Sequence, residues 1–270
     1  MTEHIIKICV AITISLLSFA AVYSPVTDIK YNSYTRKMPK DITALQVLPG
    51  VKTVDIKDTS SIDTRAMSLD ELKKNMIIDY YNVAQYNSDI AGWINIPNIG
   101  YYPLMKGQDN DFYLFNDEYK QYTINGSLFI DYRCENYKDV TLIYGHHMAS
   151  GLMFGALEKY KQEDFFYNNE EITIFDGKAF YLYSPFSIYL FESRKYAIQL
   201  NFRNKTEKIK YMEDISRTSM YKKELDSYDI SALFLQTCDY TFNEARLEVA
   251  FYLTDKHYIN EDEIDSILRQ

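Results

Sequence analysis

A cysteine, an arginine and two histidines in this 270-residue chain have the types and spacing that thiol chemistry would need. Residues 233–253 read LFLQTCDYTFNEARLEVAFYL, in which one strand-like apolar run ends on Cys238 and the next opens on Arg246. If those runs pair antiparallel across the loop Asp239–Ala245, connectivity alone makes Cys238 and Arg246 near neighbours. A thiol attacks as its thiolate, so at neutral pH it needs a base or a cation beside it. Arginine is always charged, and its forked donors suit a substrate backbone or a developing oxyanion. The candidate base is a histidine. His4 falls at the membrane or signal segment, just before the N-terminal apolar stretch, and His257 in the polar tail after the last strand, which leaves His146 and His147 at the end of VTLIY. Alternation along an extended segment puts Val140, Leu142, Tyr144 and His146 on one face and His147 on the other.

Each of these residues also has a plainer reading. A lone cysteine in an apolar strand can be inert core, and a histidine at a strand end can be polar surface. Arg246 can pair with Glu248, two residues on, as a solvated ion pair. The other two cysteines are Cys9, in the apolar N-terminal stretch, and Cys134, in DYRCEN, read as structural or incidental. No two cysteines have CxxC spacing, which argues against zinc. A Cys134–Cys238 disulfide is the pairing available if Cys9 is in a membrane, but a free thiol is the preferred reading.

The elements that must position these residues read mostly as strands. A helix is expected over SLDELKKNMIIDYYNVAQY (68–86), with Ser68 and Glu71 as a capping box and Leu69, Leu72, Met76 and Ile77 at helical spacing. Strand candidates follow: WINIP, GYYPLMK, GSLFIDY, VTLIYGHHM, EITIFDG, KAFYLYSPFSIYLFES, DISALFLQTC and ARLEVAFYL. Eight or so such segments with short connections argue for an antiparallel barrel or sandwich. Residues 151–160 and 208–225 read as helical instead.

The chain carries 26 Tyr and 15 Phe and a net charge of −9 with the signs interspersed, which argues against a nucleic-acid partner. Residues 5–23, IIKICVAITISLLSFAAVY, are apolar apart from Lys7. They read as an uncleaved membrane anchor with Lys7 toward the cytoplasm, in preference to a cleaved signal peptide with SFA at the cleavage site. Either reading places the rest outside the cytoplasm. The expected organisation is a membrane anchor or signal segment over 1–23, an extracellular stalk over 24–67 and a folded domain over 68–270.

Five stretches together resemble the sortases, the cell-wall transpeptidases of Gram-positive bacteria, and within them class B. They are DIAGWINIPNIGYYPLMKGQDNDFYL (89–114), GSLFIDYR (126–133), LIYGHHMASGLMFGALEKY (142–160), LFLQTCDY (233–240) and ARLEVAFYL (245–253). The likeness runs over about residues 68 to 254 in the family's order, and the N-terminal anchor and stalk suit it. It implies a mainly β fold: a closed eight-stranded barrel with an N-terminal helix and a helix before the cysteine strand. The family's histidine directly follows the motif glycine, hence His146 after Gly145; its nucleophile falls on Cys238 and its arginine on Arg246.

The resemblance also implies that Asn110, Leu114 and Tyr196 line a peptide groove, with Gln236 and Thr237 at the subsite beside the nucleophile. Gln236 departs from the small residue that the family places there. The implied reaction is cysteine transpeptidation, in which a C-terminal sorting motif of a secreted protein is cleaved through a thioacyl intermediate and passed to an amine of peptidoglycan or its precursor. No cofactor is called for, and no carboxylate cluster demands a metal. Two other readings stay open: a secreted cysteine peptidase, and a non-catalytic, membrane-tethered peptide-binding β-domain.

Overall fold

The structure, a computed structural model, describes residues 67–169 and 171–269. The expected membrane segment and all of the stalk but Met67 lie outside the described residues. The first element is helix α1 (Leu69–Ala84), whose first turn is capped by the Ser68 hydroxyl accepting from Glu71 N at 3.2 Å. Its buried residues Leu72, Met76, Ile77 and Val83 face Ile90, Trp93, Phe175 and Phe180 of the sheet, which closes one side of the barrel.

Strands β1 (Ile90–Ile96), β2 (Gly100–Met105), β3 (Leu128–Ile130) and β4 (Val140–Tyr144) come next. They are followed by β5 (Ile172–Phe175), β6 (Ala179–Glu192), a two-residue β7 (Tyr221–Lys222), β8 (Ala232–Cys238) and β9 (Ala245–Tyr258). The spatial order is β5-β1-β2-β3-β4-β8-β9-β6, and β6 pairs back onto β5, so eight strands close on themselves while β7 extends the β6 edge. Closure leaves little free edge and encloses a core that includes Ile94, Leu104, Leu142, Phe234, Leu247 and Phe251.

The barrel is mixed, where an antiparallel barrel or sandwich was expected from the strand texture. β2 pairs with β3 and β4 with β8 in parallel. A parallel pair needs a crossover. The first crossover holds the 3₁₀ turn Phe112–Leu114, and the second carries everything from Gly145 to Ser231. The parallel β4–β8 pair matters for function, because it brings the C-terminal ends of both strands to the same end of the barrel.

Three local expectations change. Residues 151–160 do not form one α-helix: a 3₁₀ helix spans Gly155–Lys161, and a short helix α2 (Glu163–Asn168) follows. The helix expected over 208–225 is α3 (Lys205–Thr218), capped by Asn204 accepting from Glu207 N at 2.9 Å. It stops because the chain turns extended at Ser219 and Met220 N donates to Ile188 O, which starts β7. The polar tail holding His257 is the second half of β9, with His257 opposite Phe180 in the ladder to β6. A further helix, α4 (Glu261–Leu268), is capped by Asn260 and buries Ile264 in the cluster under α1.

Candidate active site

Strand register pairs the cysteine with the arginine and brings the histidine segment to the same end of the barrel. In the parallel β4–β8 pair Tyr144 lies opposite Gln236. The ladder continues past the strand end: Gly145 N donates to Gln236 O at 3.2 Å, and the Thr237 hydroxyl donates to Gly145 O at 2.8 Å. His146 is the next residue after Gly145, and Cys238 the next after Thr237. On the other side of β8, Cys238 is the direct partner of Arg246 in the antiparallel pair with β9. All three side chains are half-buried. A thiol at a strand end, with an arginine on its rung and a histidine just past the end of the neighbouring strand, is a set of groups that can support nucleophilic acyl transfer.

The histidine segment is shaped by close backbone approaches. A Cβ at Gly145 would come within 2.4 Å of Leu128 Cδ2 and 2.7 Å of the Phe154 ring. A Cβ at Gly155 would come within 2.1 Å of Met148 O, so the chain returns on itself only with glycine there. Phe154 N donates to His146 O at 3.0 Å, closing that return. His146 Nε2 lies 2.8 Å from Leu114 O. A carbonyl only accepts, so this contact puts the proton on Nε2 and leaves Nδ1 as the basic nitrogen of the neutral ring. The Phe115 ring packs against the imidazole at 5.8 Å between centroids.

Although β4 ends at Tyr144, the two histidines do point to different surroundings. His147 stacks on Tyr240 at 5.0 Å and lies 3.6 Å from Glu158. The separation expected from strand alternation therefore holds, but a tight return sets it rather than a continued strand.

The carbonyl that holds His146 is itself placed by the segment before it. Asp109 accepts from Asp111 N and Phe112 N and starts the 3₁₀ turn, and those backbone bonds hold its carboxyl below the usual range. Asn110 is tied down by donating to Asp131 at 3.0 Å and accepting from Tyr132 N at 3.1 Å. Asp131 is fully buried. Burial alone would push its carboxyl up, but Arg133, Tyr144 and Asn110 all donate to it and hold it down.

On the arginine side, Arg246 Nη1 donates to Ala245 O at 3.0 Å and Nη2 lies 3.7 Å from Glu244. The solvated Arg246–Glu248 pair does not form. Glu248 is fully buried, and neither of its carboxyl oxygens has a hydrogen-bond partner. It sits on β9 between Gln236 of β8 and Tyr189 of β6, with Tyr211 of α3 within its electrostatic reach. Desolvation there pushes its pKa well up.

The remaining sequence candidates take varied places. Gln236 is half-buried between Tyr144 and Glu248. Thr237 is buried, with its hydroxyl used on Gly145. Leu114 contributes its carbonyl to His146. Tyr196 is exposed, three residues past Ser193, whose amide bonds Glu244 beside Arg246. Cys134 and Cys238 are both free; Cys134 is buried, accepts from Leu142 N at 3.4 Å, and burial pushes its thiol up. Sequence reasoning missed Lys161, which forms an ion pair with the buried Asp239 directly after the cysteine.

No family model matches the chain. Among curated proteins it is 29% identical over 197 residues to the sortase B of Listeria monocytogenes, covering 72% of this chain and 77% of that protein. Among solved structures it is similar to Clostridium perfringens sortase B, at 30% identity and a TM-score of 0.61, covering 65% of this chain and 99% of that one. A sortase B from B. anthracis gives 31% identity and a TM-score of 0.58, covering 64% of this chain and 83% of that one.

Proposed function

This chain belongs to the class B sortases and is a cysteine transpeptidase, and we propose that Cys238, His146 and Arg246 carry its reaction on sorting-signal peptides. The observation that supports this is the register: Cys238 is the rung partner of Arg246 on one side, and on the other side of β8 the chain that pairs Tyr144 with Gln236 runs on to His146 two residues later.

In the first half-reaction the Cys238 sulfur attacks the carbonyl carbon of a threonine in the sorting motif, forming a C–S bond and a tetrahedral oxyanion. Arg246 donates hydrogen bonds toward that oxygen or clamps the peptide beside it. As the C–N bond breaks, protonated His146 gives its proton to the leaving amine, and a thioacyl-enzyme remains. In the second half-reaction an amine attacks the thioester carbonyl, His146 takes the amine's proton, and Cys238 leaves as thiolate. Leu114 O fixes the imidazole so that one ring serves both steps.

Sortases work at the cell wall of Gram-positive bacteria. For this chain we propose an amine of peptidoglycan or its precursor as acceptor, and a catalytic domain over 68–270 held outside the cell by the apolar segment within 1–23. No helix among the described residues is long and apolar enough to cross a membrane, so the anchoring rests on the sequence of that segment.

Turnover of a quenched sorting-motif peptide library tests the assignment. Cys238→Ala should abolish cleavage, and His146→Ala and Arg246→Ala should each reduce it severely. Full activity in the Cys238→Ala protein would refute the site.

A further inference from the structure

The residue after the candidate nucleophile is an acid with no exposed surface. The Asp239 side chain is 0% exposed, accepts from Thr241 N at 2.9 Å and is ion-paired with Lys161. Lys161 closes the 3₁₀ helix that follows the histidine return, and its ammonium also lies 3.3 Å from Glu158. The next residue in the cysteine loop, Tyr240, stacks on His147 at 5.0 Å with the rings 23° apart. Two independent contacts thus join the loop that follows Cys238 to the segment that follows His146.

A buried carboxylate one residue from a thiol opposes formation of the thiolate through its charge. The charged and titratable groups on the segments joined here include Lys161 and Glu158 of the 3₁₀ helix, His146 and His147 of the histidine return, and Glu244 and Arg246 about the start of β9. Arg246 is engaged by Glu244 and its own neighbouring carbonyl. Lys161 is the cation that meets the Asp239 carboxylate directly.

We propose that Lys161 is a positioning residue for the transpeptidation: it neutralises the buried carboxylate of Asp239, the residue after Cys238, and ties the cysteine loop to the histidine segment. This rests on the reading of Cys238 as nucleophile. Removing the lysine leaves an uncompensated negative charge one residue from the sulfur. Removing the acid leaves a positive charge in the same place. The two changes therefore act on the thiol in opposite directions, whereas simple loosening of the loop would act in one.

The test is the pH dependence of Cys238 alkylation by iodoacetamide in the full chain, followed by mass spectrometry of the Cys238 peptide. Lys161→Met should move the midpoint up by about one pH unit, and Asp239→Asn should move it down. The double variant should return close to the parent, and Lys161→Arg should keep the parent's midpoint because it keeps the charge. Shifts of the same sign in both single variants, or no shift in either, would overturn the proposal. So would a Lys161→Arg protein that behaves like Lys161→Met. Alkylation reads the charge coupling whether or not Cys238 turns over substrate, and turnover by Cys238→Ala reads the nucleophile assignment separately.

Discussion

Cys238 and Arg246 occupy one rung of the β8–β9 ladder, the last residue pair before the two strands part into the loop Asp239–Glu244. A rung partner is fixed by backbone hydrogen bonds rather than by side-chain choice, so the Arg246 side chain starts from the strand position directly opposite the cysteine. Arg246→Ala should lower kcat/KM by roughly 100- to 1,000-fold, the usual loss for one oxyanion donor. Arg246→Lys should recover little of it, because a single ammonium cannot reproduce the fork. Steady-state turnover of a cleavable peptide by the two variants measures both, and near-parent activity in the lysine variant would exclude a forked contact.

The Thr237 hydroxyl spans the β4–β8 seam to Gly145 O at 2.8 Å, immediately before the histidine. Thr237→Val keeps the shape and removes the donor, so a buried carbonyl loses that partner. Urea unfolding should report a loss of about 1 kcal/mol. Turnover should fall by more than that loss explains, since His146 is positioned through the same seam. Unchanged turnover in the valine variant would show that the histidine is held by Leu114 O alone.

Glu248 makes the stability of the domain depend on pH. Burial raises its folded pKa and so favours the neutral carboxyl in the fold, whereas in the unfolded chain it ionises near the ordinary glutamate value. Its contribution to stability is therefore fully present below about pH 4 and is lost as pH rises through the folded value. Glu248→Leu should stabilise the protein at about pH 8 by at least about 1 kcal/mol, with a smaller effect at about pH 5. Denaturant titrations at the two pH values decide it, and an equal effect at both would mean the carboxyl is already ionised and paired in the fold.

How far the sequence carries depends on how local each contact is. The Cys238–Arg246 rung was legible because two strands joined by a short loop leave one natural register. The partition of His146 from His147 was legible by alternation, although the strand stops at Tyr144. The parallel pairs were not, since β4 meets β8 only after a crossover from Gly145 to Ser231 that no local pattern encodes. The Lys161–Asp239 pair joins residues 78 positions apart and has the same difficulty. Glu248 looked solvated because strand alternation cannot reveal a cover, and here it is fully buried, opposite Tyr189 of β6 and within electrostatic reach of Tyr211 of α3. Helix α4 was within reach: Asn260 followed by Glu261, Asp262 and Glu263 is an N-terminal signal that the polar texture of the tail concealed.

Intact-protein and peptide mass spectrometry of the full chain, mixed with a cleavable sorting-motif peptide, tests the thioacyl mechanism most directly. Without an added amine, the acyl fragment ending in threonine should be found attached to Cys238. On adding a soluble amine, that adduct should disappear as the peptide–amine conjugate appears. An acyl group carried by another residue would contradict the account, as would an adduct that yields only the free acid however much amine is supplied.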